Sequence, residues 1–187
     1  VRYDYDQDIF HPVYAKHGMV AAEHVLASRI GLDVPKRGGN AVDAAVAVGF
    51  ALAVVLPNAG NLGGGGFMVL HDAESGENVA LDFRELAPGK ASRDMYLDET
   101  GRVAEGRSLF THLAVGVPGT VAGMEHALKR WGTKRLADLI APSIKLAEGG
   151  FEVSPTLAKM LAQKGSGRGL ISICAAGGQG VVAILER

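Results

Sequence analysis

The stretch that decides the fold of this chain is residues 57–67, which read PNAGNLGGGGF. Five of the seven residues from 60 to 66 are glycine, and the last four of these are consecutive. Glycine has no Cβ atom, so such a run can adopt positive φ angles and lie close to a neighbouring backbone or a ligand. An apolar run precedes it and a strand-like run follows it, whereas flexible linkers are polar. We therefore expect the run to lie inside a packed domain.

A glycine run can also cradle a phosphate, but this one lacks the features of the common phosphate motifs. No Gly-Lys-Ser/Thr follows it, and it leads into a strand where a dinucleotide fingerprint would open a helix. We favour a structural or active-site wall role for residues 60–66, and phosphate binding stays the alternative.

Helix and strand signals flank the glycine run. Residues 19–34 predict a helix that Pro35 ends or kinks, because proline lacks an N–H and clashes with the preceding turn. Asn40 predicts the N-cap of a second helix, and Asp43 completes a capping-box-like pair. That helix, residues 41–55, is apolar on every face, which predicts burial on both sides.

The rest of the chain predicts a hairpin, an irregular segment and further helices. Thr120 predicts the N-cap of the helix that it opens. The predicted elements are strands at 67–71 and 78–83, an irregular region at 84–115, helices at 120–131, 135–148 and 154–163, a joint at 165–167, and strands at 170–174 and 181–185.

Composition limits the function classes. The chain has 187 residues, of which 48% are hydrophobic and 21% charged, as in a protein with a packed core. A net charge of −1 gives no reason to expect a nucleic-acid partner, and the longest apolar run, residues 44–56, is too short for a membrane span. One cysteine, Cys174, excludes an internal disulfide framework. Residues 1–8 carry no apolar signal region, as expected of a cytosolic protein or of one whose signal has been removed.

The motifs alone do not name a chemistry. The six histidines show no metal-ligand spacing and no Gly-x-Ser-x-Gly elbow is present, so we expect neither a metal site nor a cofactor. Arg84 ends the second predicted strand and has two interpretations. One is an ion pair with Asp82 or Glu85, and the other is a guanidinium that binds a substrate carboxylate.

Six blocks resemble γ-glutamyltransferases, also called γ-glutamyltranspeptidases or glutathione hydrolases. They are FHPV at 10–13, GMVA at 18–21, GGNAVDAAVA at 38–47, NAGNLGGGGFM at 58–68, DFRE at 82–85 and GVPGTVAG at 116–123. The resemblance covers about residues 8–163 and corresponds to the beginning of that family's large subunit.

This resemblance implies a fold and a reaction. The fold is α/β (α+β), an N-terminal-nucleophile hydrolase αββα sandwich, here incomplete and with an added C-terminal β-hairpin. In the family a precursor cleaves itself, and the new terminal threonine of the small subunit attacks the γ-glutamyl amide of glutathione or a related compound. Its own α-amine is the base. The arginine that binds the substrate α-carboxylate falls on Arg84.

The same resemblance implies partners and a compartment. The small subunit of the same precursor is the expected protein partner, and the expected location is periplasmic or extracellular. The nucleophile belongs to that small subunit, so we expect no catalytic residue and no turnover in these 187 residues alone. The alternatives are a non-catalytic glutamate-binding protein and an acylase-type relative with a different acyl substrate.

The last twenty residues, 168–187, resemble the carboxyl end of thiolases instead. Cys174 falls on the acid/base thiol of that family, but the thiolase nucleophile and histidines are missing, so we expect a terminal hairpin with an inert thiol. The expected division is residues 1–163, similar to γ-glutamyltransferases, and 164–187, similar to thiolases, joined as a chimera.

Overall fold

The computed structural model describes residues 14–56, 59–151, 168–175 and 179–186, the last two ranges as backbone only. In chain order the elements are α1 (Val25–Lys36), α2 (Ala41–Val55), β1 (Phe67–His71), β2 (Asn78–Asp82), α3 (Arg107–Phe110), a 3₁₀ turn (His112–Ala114), α4 (Thr120–Trp131), α5 (Leu136–Gly149), β3 (Arg168–Ala175) and β4 (Gln179–Glu186).

Helix α2 begins where the sequence predicts. The Asn40 side chain accepts a hydrogen bond from the Asp43 amide at 3.0 Å, and the Asp43 carboxylate accepts one from the Asn40 amide at 2.8 Å. These two bonds satisfy amides that a helix N-terminus otherwise leaves without partners. The predicted capping box is therefore confirmed.

Helix α1 differs from its prediction at its start. It begins at Val25 and not at residue 19, because His24 takes the N-cap position and its Nδ1 accepts from the Leu26 amide at 3.2 Å. Pro35 lies in the last turn and the helix ends one residue later, so its predicted end is confirmed.

The core surrounds α2, which packs against α1, α4 and α5. The buried side chains of the larger cluster are Val34, Ala44, Val46, Ala47, Leu128 and Leu139. The prediction that α2 is buried on both sides is wrong for one face, because Ala41 and Ala45 are exposed. That face lines a groove beside residues 17–21.

Strands β1 and β2 form the predicted antiparallel hairpin, with Phe67 opposite Asp82 and His71 opposite Asn78. The pairing continues one residue further, since the Phe83 amide donates to the Gly66 carbonyl at 3.0 Å. Gly76 has a φ of +75°, which the turn between the strands requires and which glycine adopts without strain.

Two predictions for the next segment need correction. Residues 84–115 contain α3 and the 3₁₀ turn, so the region is not wholly irregular. Thr120 is not an N-cap: Gly119 holds that position, and Thr120 is the first residue of α4. Its hydroxyl bonds a distant residue instead of its own helix.

Strands β3 and β4 pair antiparallel, from Arg168 opposite Glu186 to Ala175 opposite Gln179. They confirm the predicted strands at 170–174 and 181–185 and extend past them at both ends. The helix predicted at 154–163 and the joint predicted at 165–167 lie outside the described residues. Within the described ranges, no helix combines the length and the apolar character that a membrane crossing needs.

Candidate functional site

Arg84 follows the last paired residue of the β1–β2 hairpin, and half of its side chain is exposed to solvent. Its amide donates to Oδ1 of Asp82 at 3.0 Å. Its Nε lies 3.7 Å from Oε2 of Glu85, which is a loose ion pair. Asp82 and Glu85, the two carboxylates that could form an ion pair with Arg84, are thus both in contact with it. Neither makes a close bidentate pair with the guanidinium. The fork of N–H donors that reads a carboxylate stays partly free.

The ring of Phe67 lies beside the same guanidinium. The antiparallel register places Phe67 opposite Asp82, so the first residue of β1 lies next to the end of β2. The Cζ atom of Arg84 is 5.8 Å from the centre of the Phe67 ring, within the range of a cation–π contact. Phe67 is 64% exposed, so its ring is not a core side chain.

The glycine run forms the wall behind Arg84. A Cβ atom on Gly65 would lie 2.6 Å from the Phe83 carbonyl oxygen and 2.7 Å from the Arg84 Cα. Both of those atoms are backbone, so they cannot rotate away as a side chain could. The prediction that the glycine run lies close to a neighbouring backbone is confirmed at Gly65, which approaches Arg84, and at Gly60, which approaches Leu52 in α2.

Asn61 fixes the glycine run to helix α4. Its Oδ1 accepts from the Gly64 amide at 2.9 Å and from the Thr120 hydroxyl at 2.7 Å. The Gly64 carbonyl in turn accepts from the Gly119 and Thr120 amides at 2.7 and 3.0 Å. A phosphate bound by the run would need the amides of the run. The Gly64 amide already donates to Asn61 and the Gly66 amide to the Phe83 carbonyl, which favours the structural role of the run.

Sequence reasoning missed Asn61, because its two partners include a residue 59 positions away and no local pattern marks that pairing. Threonine hydroxyls can act as nucleophiles, and two of them, on Thr111 and Thr120, lie in the segment between β2 and α4 or at the start of α4. The Thr120 hydroxyl is buried and bonded to Asn61. The Thr111 hydroxyl donates to the Arg107 carbonyl at 2.6 Å and accepts from the Leu113 amide. Both hydroxyls therefore have structural partners.

Glu85 is the acidic group of the site with a buried carboxylate oxygen. Its side chain is 11% exposed, and its Oε1 has no hydrogen-bond partner among the described residues. Burying a carboxylate oxygen without a hydrogen-bond partner costs free energy. The loose ion pair with the Arg84 guanidinium offsets only part of that cost. In the portion of the chain that the structure describes, no group of three or more His, Cys, Asp or Glu could hold a metal ion.

A family model covers most of this scaffold. The model described as Gamma-glutamyltranspeptidase matches residues 27–168, which is more than half of the chain and includes every residue of the site. The chain belongs to the γ-glutamyltranspeptidase family. This is a family of enzymes, and the predicted family is therefore confirmed.

Individual family members show the same relation. The chain is 54% identical over 166 residues to the glutathione hydrolase proenzyme of Escherichia coli (strain K12), covering 89% of this chain and 28% of that protein. The crystal structure of Helicobacter pylori γ-glutamyltranspeptidase is 57% identical with a TM-score of 0.74, covering 81% of this chain and 44% of that one. The predicted α/β fold of the N-terminal-nucleophile hydrolases is confirmed by this similarity.

The chain spans about a quarter of the length of the curated relatives it matches. One of them is an acylase: the chain is 42% identical over 156 residues to the Acylase ACY 1 proenzyme of Pseudomonas sp. (strain V22), covering 80% of this chain and 28% of that protein. The scaffold is thus shared by relatives named as glutathione hydrolases and by a relative named as an acylase.

Proposed function

We propose that this γ-glutamyltranspeptidase-family chain supplies the part of the enzyme that binds the α-carboxylate of a γ-glutamyl substrate, and that Arg84 is the residue that binds it. The substrate class is glutathione and related γ-glutamyl compounds. The observation that carries the proposal is the half-exposed Arg84 guanidinium, held at the end of a hairpin with its donors only loosely occupied by Glu85.

The reaction of the whole enzyme follows the family. A threonine hydroxyl adds to the γ-carbonyl carbon, the C–N bond breaks, and the amine leaves with the proton that the base removed from the hydroxyl. Water or the amine of an amino acid then attacks the threonine ester and releases the γ-glutamyl group. The protein partner that we propose is the small subunit of the same precursor, which carries that threonine.

In this reaction Arg84 orients the donor. A planar guanidinium can donate two parallel hydrogen bonds to a carboxylate, which fixes both the position and the direction of the glutamyl group. The backbone behind Arg84 is in contact with Gly65, so the anchor point of the side chain is rigid. A rigid anchor lowers the ordering cost of binding.

Calorimetric titration with L-glutamate tests the role of Arg84. We expect Arg84→Ala to weaken binding by about 10- to 100-fold, the range of a hydrogen-bonded charge pair. Arg84→Lys keeps the charge but loses the bidentate geometry, so we expect intermediate binding. Arg93→Ala, at another exposed arginine, is the matched control. Equal affinity of the wild type and Arg84→Ala would refute the assignment.

Turnover is tested separately with a γ-glutamyl anilide. We expect the 187-residue chain alone to release no nitroaniline above a blank, because the nucleophile that we propose belongs to the small subunit. Release by the pure chain would contradict this. A second outcome would favour the alternative of a non-catalytic glutamate-binding protein. In that outcome the protein with both subunits binds glutamate through Arg84 but shows no turnover.

The acylase relative makes a second candidate function specific. A γ-glutamyl group carries an α-amine beside its α-carboxylate, whereas a different acyl substrate need not carry that amine. Glutarate is glutamate without its amine, so comparing the two ligands separates the candidates. Preference for glutamate supports γ-glutamyl transfer, and equal binding of glutarate supports the acylase.

We also propose a boundary at residues 163–168, between a γ-glutamyltransferase-like part, 1–163, and a thiolase-like part, 164–187. In support, the family match ends at residue 168, where the self-paired hairpin of β3 and β4 begins. A chain ended after residue 163 should keep the amide spectrum of residues 14–151.

A periplasmic or extracellular location is likewise our proposal, and fractionation of cells that make the protein tests it.

A further inference from the structure

Phe67 carries an exposed aromatic ring at the start of β1. Its ring is 64% exposed, and the next residue on that face of β1, Val69, is 83% exposed. An exposed phenylalanine contributes little to the core of the described residues, so its ring faces solvent and the charged group beside it. The neighbouring positive group is the Arg84 guanidinium, 5.8 Å from the ring centre.

We propose that Phe67 is a positioning residue, whose ring holds the Arg84 guanidinium in the orientation that binds a carboxylate. This inference rests on the proposed function of Arg84 and assigns the ring a part in it. The face of an aromatic ring carries negative charge density and attracts a cation within about 6 Å.

Two side chains restrain the guanidinium. The Phe67 ring lies 5.8 Å from Cζ, and the Glu85 carboxylate lies 3.7 Å from Nε. The pair with Glu85 is too long for a strong hydrogen bond, so it alone leaves the long arginine side chain with several rotamers. Adding the ring removes some of these, because the guanidinium must then stay over its face.

The restraint matters for binding because ordering a free arginine opposes it. An arginine that is already oriented loses less rotamer entropy when the carboxylate arrives. The aromatic ring also leaves the guanidinium edge, where the N–H donors lie, free for the ligand. A carboxylate pair in place of the ring would occupy those donors instead.

Nuclear magnetic resonance of the labelled 187-residue chain tests the contact without any activity. We expect ring currents to shift the Arg84 side-chain protons upfield in the wild type and in Phe67→Tyr, which keeps the aromatic face. Phe67→Leu keeps an apolar side chain without a π-system and should lose the shift. Val69→Leu, on the same face of β1, is the matched control. Comparison of the amide spectra shows whether each variant folds.

Titration of the same samples with L-glutamate tests the consequence. We expect Phe67→Leu to bind about two- to fivefold more weakly, the range of an exposed cation–π contact, and Phe67→Tyr to bind as the wild type. Unchanged Arg84 resonances in Phe67→Leu, or a lost shift with unchanged affinity, would overturn the positioning role. A wild-type chain that binds no glutamate would overturn the proposed function, while the shifts would still decide whether Phe67 orients Arg84.

Discussion

The hydroxyl of Thr120 donates a hydrogen bond of 2.7 Å to Oδ1 of Asn61, across 59 positions of the sequence. Thr120 is the first residue of α4, and Asn61 precedes the four consecutive glycines. The same oxygen accepts a hydrogen bond from the Gly64 amide, so the Asn61 side chain both holds the glycine run together and attaches it to α4. The position of the glycine run behind Arg84 therefore depends on the hydrogen bond between Thr120 and Asn61.

A double-mutant cycle measures that dependence. Thr120→Val keeps the side-chain shape and removes the donor, and Asn61→Ala removes the acceptor. We expect each single variant to lower the free energy of unfolding by about 1 kcal/mol or more, and the pair to show a coupling of about 1 kcal/mol. Urea titration followed by circular dichroism gives the values. Additive losses would mean that the hydrogen bond does not couple the two segments.

Asp43 should be the most sensitive acidic residue of the described core. It is fully buried, and its carboxylate accepts from the Asn40, Thr133 and Lys134 amides and from the Thr133 hydroxyl, at 2.6–3.0 Å. Asp43→Asn replaces one acceptor oxygen by a donor that faces other donors, so we expect a loss of about 3 kcal/mol in unfolding free energy.

The control for Asp43 is Asp33→Asn in α1. Asp33 is exposed and pairs with Lys36, an arrangement that contributes little to stability. We expect the control to change the unfolding free energy by no more than about 0.5 kcal/mol. Equal effects of the two variants would show that the buried hydrogen bonds of Asp43 contribute no more than a surface pair.

The same residue predicts a pH dependence. Burial raises the pKa of Asp43, but the hydrogen bonds from Thr133, Asn40 and Lys134 outweigh it and hold that pKa below its ordinary value of 3.8. A lowered folded-state pKa gives stability that is fully present above the unfolded pKa and is lost as the pH falls through the folded one. We expect the wild type to exceed Asp43→Asn in stability by less at pH 3 than at pH 7. A constant difference would contradict the shift, since the exposed carboxylates are common to both proteins.

Gly65→Ala tests the contact between the glycine run and Arg84. The new methyl group would meet backbone atoms of Phe83, Arg84 and Glu85 at 2.6–2.7 Å, so the hairpin end must move. We expect a loss of about 2 kcal/mol in unfolding free energy, together with weaker glutamate binding. In Gly89→Ala, where nothing lies within 4 Å of the new atom, we expect neither effect. Wild-type binding by Gly65→Ala would show that the wall does not position Arg84.

Local signals carried the part of the fold that sequence could predict. The capping box of Asn40 and Asp43 and the turn of the β1–β2 hairpin are each formed by residues within a few positions of one another. The start of α1 was missed because residues 19–24 are as apolar as the helix itself, and only the bond from the Leu26 amide to His24 marks the boundary.

Tertiary contacts account for the rest. The cap predicted for Thr120 failed because the backbone already places Gly119 at that position, and the freed hydroxyl reaches Asn61. Likewise the sequence shows the local half of the Asp43 cluster but not Thr133, 90 positions later. Arg84 was selected through its resemblance to a family residue, and its substrate role stays a prediction.

Gly65, which has no side chain, lies close to main-chain atoms of the segment Phe83–Glu85 that follows β2. Shortening a side chain at residues 83–85 therefore makes no room for a larger residue at position 65, because the contacting atoms belong to the backbone. Side-chain changes at residues 83–85 should thus leave this contact intact, whereas any side chain at position 65 should disturb it.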